Sequence, residues 1–248
     1  MTPPRTNLSH GGRVPTILRR PPGFVMPHGD EIITNFRVPH PITLNISIFV
    51  VKGTSQGPLQ DYLDAAAQRL LRYGFTLDIH PANKVPMEID YVGQLGPKFG
   101  PDNEDTECEK AREKAAAAFN DQANPLRFPI IMGPINQADH GDEERGITQV
   151  EYAHPDGRKT VNGVTWLPFS IVDSAKKDSD SGALFHEMSH GALNRHPGDG
   201  PDPNNVSPSD LSNIMRAPLP GAPVRVTLNK KQVRAFANCY FATPRTRI

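Results

Sequence analysis

Residues 42–51 read Ile-Thr-Leu-Asn-Ile-Ser-Ile-Phe-Val-Val, and the fold class follows from how this run continues. Ile42, Leu44, Ile46 and Ile48 alternate with Thr43, Asn45 and Ser47, the period of two that marks a strand, before Phe49-Val50-Val51 close it. Pro58 suits the first turn of a helix, and Leu59, Tyr62, Leu63, Ala66, Leu70 and Leu71 recur at helical spacing as far as Gly74, a natural stop. Phe75 to Ile79 then reads as a second short strand. Strand, helix and strand in this order predict a parallel pair joined by a crossover helix, and so an α/β class.

Outward from this unit the signals are uneven. Residues 1–41 are rich in Pro, Gly and Arg without a sustained period and read as an extended arm. Residues 80–105 are loop-like. Glu104 to Asn120 reads as a helix with acidic residues early, where the helix dipole favours them. Phe128 to Met132 is an apolar run of strand length. Asp139, Asp142, Glu143 and Glu144 cluster within 137–146 but lack the regular acidic spacing of a calcium loop, so a solvated loop is the expectation. Val164 to Val172 is a further strand candidate in which Pro168 favours an edge or a bulge. Asn229 and Gln232 form a capping-box pattern ahead of Val233, Phe236, Ala237 and Tyr240, a C-terminal helix near 230–241. The chain has no internal repeat.

Composition narrows the classes. The 248 residues carry 27 basic and 27 acidic side chains, and this balance argues against a partner bound through its phosphate backbone. The 26 Pro and 20 Gly predict a loop-rich folded chain. No run approaches the ~18 apolar residues that cross a membrane. Pro3, Pro4, His10, Gly11 and Gly12 stand where the apolar core of a signal peptide would lie. Cys108 and Cys239 leave one bridge or two thiols equally open.

Residues 186–190 read His-Glu-Met-Ser-His. Four-residue spacing puts His186 and His190 one turn apart on one helical face, where both imidazoles can meet one metal ion. Glu187 is adjacent and can take a proton from water at such a metal. Asp180 or Ser181 is the expected cap of this helix, and Ala183, Leu184, Met188 and Ala192 support it. A zinc hydrolase needs three protein ligands and an open position, and His196 lies ten residues after His186. A continuous helix would aim position 196 away from the pair, so the chain must leave the helix first; Asn194 and Pro197 provide for this. No Glu follows Glu187, which excludes a downstream glutamate ligand, while Asp199 and Asp202 stay open as substitutes for His196.

With these residues in view, the chain resembles the metzincin clan of zinc metallopeptidases, whose signature is His-Glu-x-x-His-x-x-Gly-x-x-His followed by a methionine turn. His186, Glu187, His190 and His196 match, and Ser212-Asn213-Ile214-Met215 resembles the turn. The motif covers 186–215 and the layout about 42–241. The resemblance implies a twisted mixed sheet with a crossover helix and an active-site helix in an upper subdomain (42–193). It also implies a small irregular lower subdomain (194–248) that ends in a C-terminal helix. It further implies Zn2+ held by His186, His190 and His196, Glu187 as general base, Met215 as a structural residue beneath the metal, and an endopeptidase whose substrate lies along the sheet's edge strand. Its partner is then a protein or peptide substrate met by a monomer, with no nucleic acid and no membrane span; localisation stays open between export without a classical signal peptide, which the analogy favours, and the cytoplasm. The clan's turn glycine falls on Leu193, with Gly191 two residues early, so the turn either shifts onto Asn194 or strains Leu193.

Competing readings are an adaptor on a metzincin-like scaffold that has lost catalysis, and another zinc hydrolase using Cys108, which has a poor context for a ligand. Asp30 in the arm is a weak candidate for an inhibitory segment. His28, His40, His80, His140 and His154 have no ligand spacing and are expected to be surface or structural residues.

Overall fold

The computed structural model describes residues 36–55, 59–81, 87–89, 126–133, 146–161, 164–174, 182–196, 212–216 and 227–244. Most of the arm, the 104–120 helix with Cys108, the acidic cluster, Pro58 and the 197–211 loop with Asp199 and Asp202 lie outside them. The described elements are β1 (Ile42–Val51), α1 (Leu59–Leu71), β2 (Phe75–His80), β3 (Met87–Ile89), β4 (Phe128–Gly133), β5 (Gly146–Gln149), β6 (Lys159–Val161), β7 (Val164–Trp166), β8 (Phe169–Asp173), α2 (Ala183–Gly191), α3 (Lys230–Asn238) and β9 (Ala242–Thr243).

The class is α/β, built on a mixed sheet. β1 is its trunk. Ile42 to Ser47 pair in parallel with β2, and Phe49 to Val51 with β3. β4 runs parallel to β1 through Ile46 to Val50, and β8 runs parallel to β4. β5 closes the row antiparallel to β8 and is the terminal strand of the path β2-β1-β4-β8-β5. β6 and β7 form a separate hairpin.

The opening unit forms for the reasons its sequence shows. α1 buries Leu59, Tyr62, Leu63, Ala66 and Leu70 against the sheet, and Gly74 turns the chain with φ +92°. Every residue of β1 but Thr43 is buried, as in a strand covered on both faces. The candidate strand at 164–172 is two strands. Leu167 and Pro168 separate β7 from β8, because proline cannot donate into the ladder that β8 makes on both sides.

The C-terminal helix carries the expected capping box, with Asn229 accepting from Gln232 N at 2.9 Å. It ends at Asn238, short of 241, because Cys239 is extended (ψ 161°) and leads into β9, which returns antiparallel to β1. Among the described residues this is the last helix, and the short strand β9 follows it. Phe236, Tyr240 and Phe241 pack into the same hydrophobic cluster as Phe75, Phe128 and Phe185, with Phe128 and Phe241 stacked at 5.0 Å. The Tyr240 hydroxyl donates to Pro168 O at 2.8 Å, and burial, reinforced by Cys239 and opposed by Arg158, pushes this phenol well above its ordinary range. No helix among the described residues is long and apolar enough to cross a membrane.

Candidate metal centre

α2 packs against α1, β8 and β5, so the sheet's last two strands and one crossover helix fix its axis. Its N-cap is Gly182, which makes no side-chain bond; the helix starts later than a cap at Asp180 or Ser181 requires. The side chains of Leu184, Phe185 and Met188 are buried in the core, and His186, half-buried, and His190, buried, stand one turn apart.

The helix ends in a Schellman motif. Leu193 N donates to His190 O at 2.8 Å, and Asn194 N donates to Ser189 O at 3.1 Å. Leu193 holds the left-handed position, φ +67°, so the strain sits on leucine and the turn has not shifted onto Asn194. Asn194 instead buries its side chain, donating from Nδ2 to Ser189 Oγ at 2.8 Å. Gly191 answers a different need: a Cβ there would come 2.5 Å from Phe128 Cε2, so glycine lets the helix end approach the core.

This turn swings His196 back to the helical pair. His196 Nε2 lies 3.0 Å from His186 Nε2, and His190 Nε2 lies 3.2 Å from His186 Nε2. Tetrahedral zinc with Zn–N bonds of about 2.0–2.1 Å would hold its ligand nitrogens roughly 3.3 Å apart. The second ring nitrogens face acceptors. His186 Nδ1 donates to Ile214 O at 2.6 Å, and His190 Nδ1 donates to Asn194 O at 3.0 Å. With these bonds made, each ring directs its Nε2 inward, where a neutral ring in this tautomer would offer its lone pair to a cation. His186, His190 and His196 are a group that can hold a metal ion.

No family model matches the chain, and no curated protein matches it.

Glu187 is only 4% exposed and turns its carboxylate towards β5. Thr148 Oγ1 donates to its Oε2 at 2.6 Å, and Thr148 in turn lies 2.8 Å from Ser170 Oγ on β8. Gly146 makes room for the carboxylate, since a Cβ there would sit 2.6 Å from Glu187 Oε1. Ser212 to Met215 form a turn with Met215 fully buried, and the turn reaches the ligands through the Ile214 carbonyl. His40, His80 and His154 are exposed, and His28 and His140 lie outside the described residues.

Sequence reading did not find Tyr152, whose hydroxyl lies 2.9 Å from His190 Nδ1 and donates to Asn194 O at 3.3 Å, with the Arg195 guanidinium 4.2 Å above its ring. It also missed Thr148 and Gly146. These residues lie 38–41 positions from their partners, and only the pairing of β5 with β8 brings them there.

Proposed function

We propose that this chain is a zinc-dependent endopeptidase of metzincin type. The observation that carries the reading is the convergence of three imidazole Nε2 atoms, two with their Nδ1 protons held by backbone carbonyls, beside a buried glutamate on the same helix. Three neutral histidines leave a tetrahedral metal one open position, which suits catalysis better than a closed structural site. When bound there, zinc supplies a Lewis acid that acidifies water and polarises the scissile carbonyl.

The protein's own groups divide the rest of the work. His186 and His190 are fixed in tautomer and ring orientation by Ile214 O and Asn194 O. Glu187 accepts the proton of the attacking water and delivers it to the leaving amine. Thr148 holds Oε2, so the proton is handled at Oε1. β5, the terminal strand of the sheet path and the neighbour of Glu187, supplies the edge on which an extended peptide pairs by backbone hydrogen bonds. Beyond its end, Val150, Lys159, Trp166 and Phe169 line a cavity of about 70 Å³.

The test is metal content together with digestion of a broad peptide library by wild type and Glu187→Gln. The expected result is one zinc per chain in both proteins, with cleavage about 10²–10⁴-fold slower in the variant. Zinc bound by a wild type that cleaves nothing across the library would turn the assignment towards an adaptor. Wild type without zinc would sink the metal site.

A further inference from the structure

We propose that Asn213 and Gln232 are positioning residues for His186, and that the C-terminal helix α3 thereby sets the metal affinity of a site it does not touch. The inference rests on reading His186, His190 and His196 as metal ligands. It adds a device that neither that reading nor the sequence motif contains.

The device is a chain of single hydrogen bonds through one peptide plane. The carbonyl that accepts from His186 Nδ1 at 2.6 Å belongs to the peptide between Ile214 and Met215. The N–H of that same peptide, on Met215, donates to Asn213 Oδ1 at 3.0 Å. A trans peptide is planar and its N–H and C=O point in opposite directions, so gripping the N–H fixes where the carbonyl aims. Holding the N–H also polarises the carbonyl and strengthens its bond to the imidazole.

Asn213 is in turn held by Gln232. The two amides pair reciprocally: Asn213 Nδ2 donates to Gln232 Oε1 at 2.9 Å, and Gln232 Nε2 donates to Asn213 Oδ1 at 3.0 Å. Both residues are 0% exposed, so water cannot replace either bond. Gln232 is the third residue of α3 and a member of its capping box. Its Oε1 also accepts from Asn229 N at 2.9 Å. One side chain therefore serves both the start of α3 and the methionine turn. Thr227 braces the turn from the other side, accepting from Ile214 N at 2.9 Å.

A purely structural role for the amide pair predicts lower stability in its variants and unchanged metal binding. A positioning role predicts weaker binding by molecules that are still folded. Hydrogen-bond partners of ligating histidines are typically worth about 10–100-fold in metal affinity. Coupling is reciprocal, so zinc must also tighten α3.

The experiment measures zinc affinity by chelator competition in wild type, Asn213→Ala, Gln232→Met and Leu77→Ala, all well below the lowest melting temperature of the metal-free proteins. Gln232→Met keeps the side-chain volume and leaves the bond from Gln232 N to Asn229 in place. Leu77→Ala, on the far strand β2, is a destabilised control. The expected result is a loss of about 10-fold or more in both amide variants, none in the control, and slower amide exchange at Val233 to Ala237 when wild type is loaded with zinc. Wild-type affinity in the amide variants, or α3 exchange that ignores zinc, would overturn the proposal. The exchange measurement needs no variant: α3 exchange that slows no more than that of β2 on zinc loading would overturn the proposal even if Asn213→Ala does not fold. A wild type that binds no zinc defeats the metal reading and this inference together, which the wild-type arm shows by itself.

Discussion

Two regions of the molecule bury their interiors by different chemistry. In the sheet region, β1, β4 and β8 are lined by Ile42, Leu44, Ile46, Ile48, Phe128, Ile130, Ile131, Phe169 and Ile171, all at most 1% exposed. In the site region, Ser189, Asn194, Asn213 and Gln232 are each 0% exposed and each joined to another by hydrogen bonds. Apolar burial is non-directional and scales with area, so it stabilises without dictating angles. Buried amides cost free energy unless their partners stand at the right distance and direction, so they specify geometry. The molecule places area where it needs stability and directed bonds where three imidazoles must converge.

The division is open to attack from either side. The largest effect is expected in the sheet region: Leu44→Ala should lower unfolding free energy by about 2–5 kcal/mol. Zinc affinity of the folded fraction should not move. Denaturant titration paired with chelator competition checks this, and a matching loss of zinc affinity would show that the two regions are not separate.

Tyr240 joins Asn45, Ser47 and Ser170 as polar groups buried in the largely apolar sheet region, and its raised phenol makes stability depend on pH. Folding favours the neutral phenol, so this contribution is complete below the unfolded value near 10 and is lost as pH rises towards the folded one. Wild type should lose up to about 1.4 kcal/mol per pH unit above pH 10 relative to Tyr240→Phe, read by denaturant titration from pH 8 to 11. Parallel curves for the two proteins would dismiss the effect.

Leu193 is the strained exception in the site region. Leu193→Gly should relieve the left-handed penalty and raise stability by about 1 kcal/mol or less, with zinc affinity unchanged or improved. A lower melting temperature would mean that the leucine side chain contributes more by packing than its backbone loses.

What the sequence made legible follows the same division. The period of two in 42–48, the helical spacing from Leu59 to Leu71 and Gly74 are local signals, and they placed β1, α1 and β2 because each element's apolar face is written within itself. Asn229 and Gln232 announced α3 for the same reason. The histidine pair needed only helical spacing, and His196 needed only a break before it. β5 was hidden, because Gly146 to Gln149 is too short to show a period and is a strand only through its pairing with β8. Tyr152 could not be matched to His190, nor Thr148 to Glu187, since each contact depends on where β5 docks. Pro168 reads from sequence as an edge or a bulge within one strand, and that separate strands lie on either side of it is a tertiary fact.

β9 has a consequence in time. Asn45, in the trunk strand, donates from Nδ2 to Phe241 O across 196 residues, and Thr43 and Leu44 pair with Thr243 and Ala242. During synthesis the amino-terminal half of β1 emerges early, but one of its neighbours does not exist until residues 241–243 have left the ribosome. Contacts this distant in sequence slow folding, because the loop must close before they can form. A nascent chain therefore carries an open flank on β1 for most of its translation, and the sheet becomes complete only after the residues of the site have already been made.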